Sequence, residues 1–483
     1  MIIDIEYRQD DLYISYFDKE GNVQFITVPL AAEQQFNWEY AESYEADKTR
    51  MSWDDKWVKK TWKKERRYSW NNPNREMFRL SKYRIEEILS EIEDVMAPAR
   101  EYNRPKKYYI DIETEVTDGF PEAELAQNRV LSIAIANDQN RLYVLGLKDL
   151  SDAEQDAIER DVNEYYEKAG VFKRFNANPW QFNYVKFESE QEMLYTFFSR
   201  LVPKMPCLTG WNFIEYDWKY LVNRCANVHP AIDPAICSVA GRLQGKNKLP
   251  VHRLVVDYLE IYKKWDRTVK IKESNRLDFV AEKTIGVGKM KYNGSIKDLY
   301  EHDFYRFILY NTIDSSLIYY MDKKLNTMST FLSLAHVGSV EVNKAFSPIW
   351  VTEALMTREF LKMGKVFVER KKDDKAQQEF QGAYVKEPIV GMHQFVTCYD
   401  FASLYPNTMM QYNISPETYR GKKPVEALQP GEIITAAGTV FDNSHDSVLR
   451  KILKDLYGKR KSTKKNYLAV AKEIDHLEHL LNK

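Results

Sequence analysis

The chain has 483 residues, of which 44% are hydrophobic and 29% charged, and its formal net charge is −1. That length exceeds what one hydrophobic core organises, so about two to four domains are expected, with the composition of a soluble globular protein. A near-zero net charge excludes a global field for nucleic acid and leaves room only for local basic surfaces.

The four cysteines, Cys207, Cys225, Cys237 and Cys398, form no C-x-x-C pair. This argues against a zinc ribbon or disulfide framework and suits a reducing, cytoplasmic setting. Met1–Tyr7 lacks a basic region followed by an apolar one, so no secretory signal is visible. No apolar run reaches membrane-spanning length, and no membrane partner is expected. The 32 Tyr, 23 Phe and 10 Trp fit either a large core or base-stacking surfaces.

Met1–Tyr7 and Leu12–Phe17 alternate as strands, and Lys19-Glu20-Gly21-Asn22 reads as a hairpin turn into Val23–Val28. A Trp- and Lys-rich stretch follows, with Trp53, Trp57, Trp62, Lys59, Lys60, Lys63, Lys64, Arg66, Arg67 and Trp70. It reads as an amphipathic helix with solvated lysines, or as a nucleic-acid surface. Ser81 caps a helical run through Ile85, Ile88, Ile92 and Val95 that Pro98 helps to stop.

From Arg104 the pattern becomes mixed α/β. In Tyr108–Glu115 the apolar residues mark a strand, and Asp111 and Glu113, two apart, project from one face. Side-by-side anions repel and are costly to desolvate, which a divalent cation with oxygen ligands relieves. An exposed edge strand with an acidic face is the alternative. Val130–Ala136 and Leu142–Leu147 are strands able to flank it, residues 151–169 are helical, and Glu190–Leu201 is a helix ending before Pro203. Cys207–Thr209 is a short buried strand entering a polar loop, with a helix from about Asp217 to Arg224. Asp217 sits at that helix start, as a cap or as a functional carboxylate. Gly241–Lys248 is a candidate hairpin, and Asp257–Lys264, Leu277–Lys283 and Tyr300 to about Leu334 are helical. Tyr310 and Asp314 lie one turn apart on a single face.

After about Gly338 the character changes. Val340–Met363 is helical, Glu369–Gln378 looks like an exposed connection, and Phe395–Asp400 is an apolar run expected as a buried strand ending in a carboxylate. Residues from about Ser447 to Lys483 form one long helical pattern. Its basic cluster, Arg450, Lys451, Lys454, Lys459, Arg460, Lys461, Lys464 and Lys465, is by itself a solvated face. Its apolar spacing over Leu468, Ile474, Leu477 and Leu481 suits a partner helix.

A D-x-E strand, an N-x-x-x-x-D loop and a Y-x-x-x-D helix, spaced about a hundred residues apart, supply four acids and a phenol. A hydrolase that uses two metals about 3.5–4 Å apart on a phosphodiester needs that donor set.

The motifs, and the chain as a whole, resemble the amino-terminal half of a family B DNA polymerase of the T-even bacteriophage type. The fold class this implies is multidomain α/β. It comprises an RNase H-like exonuclease domain with a mixed sheet, an N-terminal α+β domain and partial palm and fingers. The implied boundaries are 1–103, with 335–370 returning to it, then 104–334, 371–446 and 447–483. The three motifs match the family's proofreading exonuclease motifs, so Asp111, Glu113, Asp217 and Asp314 are implied to hold two Mg²⁺ ions. Tyr310 is implied to position the attacking water. The turn at Gly241–Lys248 takes the place of the strand-separating hairpin.

Gln381–Val385 resembles the motif linking exonuclease to palm, or is a simple Gly turn. Tyr399–Asn407 resembles polymerase motif A, and Ile414–Thr418 also matches. Asp400 is thereby implied as a metal ligand, Ser403 and Leu404 as backbone contacts to a triphosphate, and Tyr405 as the platform under the sugar. Arg460 and Lys464 match the fingers residues that grip the nucleotide phosphates.

The implied partners are a DNA primer–template with its single-stranded 3′ end, dNTP, a C-terminal polymerase polypeptide and, through it, a sliding clamp. The second polymerase carboxylate, the return helix of the fingers and the thumb are not found in the 483 residues. A split polymerase is therefore the expectation, with a truncated single-chain enzyme or a nucleic-acid-binding regulatory subunit with an idle nuclease as alternatives. A stand-alone repair nuclease is disfavoured by motif A.

Overall fold

The computed structural model describes residues 1–483 except 44, 48, 63, 64, 67–75, 78, 117, 118, 120, 267–272, 369–384, 482 and 483. The architecture is mixed α/β. The described residues form two compact units, 1–32 with 93–351 and 33–92 with 352–483. This grouping cuts across the boundary expected at 103. Polar ties hold the first 32 residues to their unit: the Met1 amine donates to Glu101 O (2.9 Å), Ile5 N to Glu341 Oε1 (3.3 Å), and Ser15 Oγ lies 3.1 Å from His252 Nδ1.

The first unit opens on three antiparallel strands, Ile2–Arg8, Asp11–Phe17 and Val23–Pro29. Asp18 Oδ1 accepts from Glu20 N and Asn22 N and so closes the turn between the last two. The unit also contains a six-stranded mixed sheet ordered Gln181–Lys186, Arg141–Gly146, Val130–Asn137, Lys107–Thr114, Cys207–Thr209, Leu254–Val255. The Asp111 strand is thus central. Its antiparallel neighbour is Val130–Asn137, buried at every residue; its parallel neighbour is Cys207–Thr209, not the strand after Leu142, which lies one place further out.

A 22-residue helix, Phe304–Leu325, packs across the two middle strands, and every residue from Phe307 to Asp322 is buried. Asp322 locks the register of that crossing. Its Oδ2 accepts from Lys107 Nζ (2.5 Å) and Tyr109 OH (2.9 Å), and its Oδ1 from Met328 N (3.1 Å) at the start of the next helix. Ser151 and Glu154 form a reciprocal capping box that starts the helix Asp152–Lys168. Gly241–Lys248 does form a hairpin, pairing Leu243–Gln244 with Leu249–Pro250.

Three local expectations fail. The Trp53–Trp70 stretch is not helical where it is described. Met51–Ser52 and Val58–Thr61 are strands, the second antiparallel to Asn37–Tyr40. Val58 is buried in a cluster with Phe36 and Trp38, while Lys59 stands opposite Glu39 and pairs with it and with Glu45. Alternation and cross-strand charge pairing outweigh helical spacing there. Trp70 lies outside the described residues. Second, Ser81 does cap Lys82–Glu91 by accepting from Arg84 N, but Ile92 leaves helical geometry and Pro98 lies inside the following helix, Glu93–Arg100, rather than ending a single run. Third, Phe395–Asp400 is neither strand nor buried: Phe395 is 99% and Tyr399 90% exposed. A strand must pair its backbone groups with a neighbour, and no described strand lies alongside this one.

In the second unit, a three-stranded sheet (Tyr419–Lys422, Thr439–Asp442, Glu432–Ile434) precedes the 34-residue helix Val448–Leu481. No described helix is long and apolar enough to cross a membrane.

One buried ion pair fixes the helix Lys219–Val228 in the first unit. Glu190 accepts from Arg224 Nε (2.8 Å) and Nη2 (2.7 Å), from Val130 N (2.7 Å), and meets His229 Nε2 at 2.9 Å. Removing one member leaves a buried, uncompensated charge. Arg224→Ala is expected to cost about 3–5 kcal/mol in chemical denaturation; a loss below about 1 kcal/mol would mean that water replaces the guanidinium.

Candidate metal centre

Alternation on the central strand directs Asp111 and Glu113 to the face covered by the long helix, on which Asp314 stands. Carboxylate oxygens of Asp111, Glu113 and Asp314 all lie within 4.8 Å of one another. The register that brings them together is built by Asn311, one turn before Asp314. Its Nδ2 donates to Asp111 Oδ2 (2.8 Å), and its Oδ1 accepts from Ser132 Oγ (2.8 Å) on the neighbouring strand.

Asp217 comes from a different element. Gly210 follows the short strand Cys207–Thr209, and a Cβ there would lie 2.4 Å from Ile110 O. Only glycine lets the loop run this close to the central strand. Asn212, at φ 60°, turns the chain, and a wide helical turn, Ile214–Trp218, leads into Lys219–Val228. Asp217 therefore does not cap a helix. It is buried, and its Oδ1 accepts from the backbone N–H of Ile112 (3.0 Å), between the two strand carboxylates. It borders the cluster and is not one of the three acids that converge.

Lys289 is the residue that sequence reasoning missed. Its Nζ pairs with Asp314 Oδ2 and donates to Tyr310 OH at 3.1 Å. Tyr310 is buried, with Tyr292 edge-on to its ring at 5.1 Å. The only cue for Lys289 in sequence was a lysine between glycines in a loop, a pattern with many bland meanings. Asn311 was visible beside Tyr310, but its role depends on a residue 179 positions earlier, Ser132.

The electrostatics follow from crowding. Burial, then the Asp314 charge, pushes the Asp111 carboxyl up to about 7, against the pull of Lys289 and Asn311. Burial and the Asp111 charge raise both Glu113 and Asp217 well above the ordinary carboxylate range, and burial raises Asp314. Burial pulls the Lys289 ammonium down, yet the Asp314 and Asp111 charges outweigh it and hold it well above its usual value. Burial and the Asp314 charge keep the Tyr310 phenol protonated far beyond neutral pH.

A divalent cation fits this donor set. Asp314 Oδ1 is buried without a hydrogen-bond partner, a costly condition unless something is meant to bind there. The donors are all oxygens, as Mg²⁺ and Mn²⁺ require.

The residues expected for a nucleotide site lie in the second unit. Asp400 is exposed on irregular backbone. Ser403, at φ 53°, precedes the helix Leu404–Gln411, and Arg460 Nη1 reaches Ser403 Oγ at 3.4 Å. Tyr405 is exposed. Lys464 lies one turn beyond Arg460 on the long helix, also exposed. The Gln381–Val385 motif lies outside the described residues apart from Val385.

Comparison with known proteins gives two family matches. The model for the DNA polymerase family B exonuclease domain matches residues 42–276, and that for DNA polymerase family B matches residues 348–483. The DNA-directed DNA polymerase of Escherichia phage RB69 is 27% identical over 401 residues, 77% of this chain and 43% of the relative. That of Enterobacteria phage T4 is 27% identical over 322 residues, 62% of this chain and 35% of the relative. The DNA polymerase of Archaeoglobus fulgidus is 26% identical over 271 residues, covering 53% and 32% respectively. The chain spans less than half the length of these curated relatives.

Carboxyls raised in the folded state have a definite pH consequence. The native state holds protons that the unfolded chain has released, so stability falls as pH rises through the interval between the two pKa values. For Asp111 that interval runs from 3.8 to about 7. The metal-free chain is expected to melt at a lower temperature at pH 8 than at pH 5. Mg²⁺ is expected to raise the melting temperature more at pH 8, where the ligands are ionised. Asp111→Asn is expected to flatten both trends. A cation effect of equal size at the two pH values would exclude these carboxyls as the ligands.

Proposed function

Because the chain belongs to the family B DNA polymerases, we propose that its first unit is a divalent-cation-dependent 3′→5′ exonuclease acting on the single-stranded end of DNA, in a proofreading role. The observation that carries this is the convergence of Asp111, Glu113 and Asp314 within 4.8 Å, with one buried oxygen of Asp314 unpartnered. These three residues, with Asp217 at the border, are the ligands for two Mg²⁺ ions. When bound, such ions make water nucleophilic at neutral pH and neutralise charge on the departing oxygen.

The remaining roles belong to side chains. Asn311 holds Asp111 in place through Oδ2. Tyr310 stays protonated, so it orients the attacking water by hydrogen bonding and does not act as a base. Lys289 fixes the Tyr310 oxygen and balances the negative field in the absence of cations.

The second unit carries part of a polymerase site. Asp400 is its metal ligand, the backbone N–H groups of Ser403 and Leu404 and the side chains of Arg460 and Lys464 receive the triphosphate, and Tyr405 lies under the sugar. The approach of Arg460 to Ser403 supports two groups converging on one anion. A single carboxylate does not hold the metal pair that nucleotidyl transfer uses. The completing residues therefore lie outside these 483, in a longer form of this chain or in a separate partner polypeptide, which would also carry any sliding-clamp contact.

Incubation with 5′-labelled single-stranded DNA and Mg²⁺ is expected to give a ladder shortening from the 3′ end. Asp111→Ala is expected to slow trimming by at least about 100-fold, the equivalent of a few kcal/mol of charge stabilisation, and EDTA to stop it, while DNA binding persists. Trimming by Asp111→Ala at the wild-type rate would overturn the site assignment. On a primed template the 483-residue chain is expected to show no extension until the polypeptide bearing the missing palm, fingers and thumb is added. Extension by the purified chain alone would refute the half-site reading.

A further inference from the structure

Lys289 is delivered to the carboxylates by a segment with no regular structure. Between the helices Leu277–Ile285 and Ile296–His302 the backbone joins no strand. No ladder fixes its position, so the fixing falls to individual contacts. Three are present at its start. Arg174 Nη1 donates to Ile285 O (2.7 Å), Tyr165 OH donates to Gly288 O (2.8 Å), and Lys289 N donates to Asp278 Oδ1 (2.7 Å).

Gly288 and Asp278 are fitted to each other. Gly288 is buried, and a Cβ on it would lie 2.3 Å from Asp278 Oδ1, the same oxygen that receives the Lys289 N–H. A side chain at 288 would displace the carboxylate from its donor. A lysine ammonium rides on a flexible four-carbon stem, so where its Cα is held decides which oxygens it can reach. Here it reaches Asp314 Oδ2 and Tyr310 OH.

We infer that Asp278 is a positioning residue of the nuclease: by accepting the Lys289 N–H it sets the strap that places the ammonium between Asp314 and Tyr310. The inference rests on the exonuclease reading above. It assigns the role to the acceptor oxygen of Asp278 and not to its charge. It also implies that the ammonium, held beside the carboxylates, opposes cation binding there.

The test uses the full chain with Asp278→Ala, Asp278→Asn, Lys289→Ala and the Asp278→Ala/Lys289→Ala pair. Two readouts apply, with DNA binding and thermal melting as folding controls. One is single-turnover trimming of saturating 5′-labelled single-stranded DNA. The other is calorimetric titration with Mn²⁺ in the absence of DNA. Asp278→Ala is expected to slow trimming about tenfold, the scale of a small misplacement of a catalytic group, with DNA affinity unchanged and a single cooperative melting transition retained. Asp278→Asn, which keeps an acceptor, is expected to restore the rate to within about twofold of wild type.

The double variant is expected to be no slower than Lys289→Ala, because both changes act through one ammonium. Mn²⁺ is expected to bind tighter to Asp278→Ala and to Lys289→Ala, and no tighter still to the double variant. Multiplicative losses in the pair, or an Asn variant as slow as the Ala variant, would overturn the inference. A wild-type chain that binds Mn²⁺ without trimming DNA would refute the exonuclease reading. The Mn²⁺ shifts would then decide the role of Asp278 alone, unchanged affinity in Asp278→Ala rejecting it. A wild-type chain that neither binds Mn²⁺ nor trims would remove both.

Discussion

Mutual repulsion among crowded carboxylates, Asp314 buried and Asp111 and Glu113 half-buried, is the constraint that the first unit is built to withstand. Asp111, Glu113 and Asp314 sit within 4.8 Å of one another, with Asp217 at their edge. Bringing like charges together away from water opposes folding, and the raised carboxyls record that cost. The rest of the unit supplies rigidity against it. Asp322 ties the long helix to the central strand through Lys107 and Tyr109, and Asn311 ties it again through Ser132 and Asp111. With two polar anchors about three turns apart, the helix neither slides nor rotates enough for Asp314 to retreat.

Lys289 answers the same repulsion from the opposite side. It places a cation against Asp314 and a hydrogen bond on Tyr310. Without bound metal this lowers the cost of gathering the carboxylates. With metal present it becomes a neighbour of like charge. The same residue therefore stabilises the empty site and tunes the occupied one, which is the common trade between stability and activity at functional centres. That it sits on an irregular strap, and not on a helix, lets its approach be set by a few contacts instead of by a ladder.

The second unit is organised differently. Its well-packed part is a set of small clusters around Trp53, Phe360, Phe367 and Val448, and around Phe36, Trp38 and Val58. The stretch from Val385 to Phe401 exposes a run of large apolar side chains, Val390, Met392, Phe395 and Tyr399 among them. Contiguous exposed apolar surface of this kind is uncommon on a folded unit and sets this stretch apart from the packed clusters. Asp400, at the end of the run, stands on backbone that has no sheet neighbour among the described residues. Ser403 and Arg460 nonetheless approach one another, because the helix Leu404–Gln411 packs on the helix Val448–Leu481.

The sequence by itself determined which candidate carboxylates share a face and the local elements on which they stand. Alternation fixed that Asp111 and Glu113 share a face, helical spacing fixed that Tyr310 and Asp314 do, and the capping residue Ser81 marked a helix start that the fold uses. These are short-range properties, set by backbone geometry within a few residues. Tertiary structure alone decided what depends on distant partners. It turned Asp217 from a cap into an acceptor for Ile112 N–H, recruited Asn311 and Lys289, and made strands of Met51–Ser52 and Val58–Thr61 because Asn37–Tyr40 was there to pair with the latter. It also left Phe395–Asp400 unpaired, since an apolar run proposes a strand but only a neighbouring strand's N–H and C=O groups can complete one.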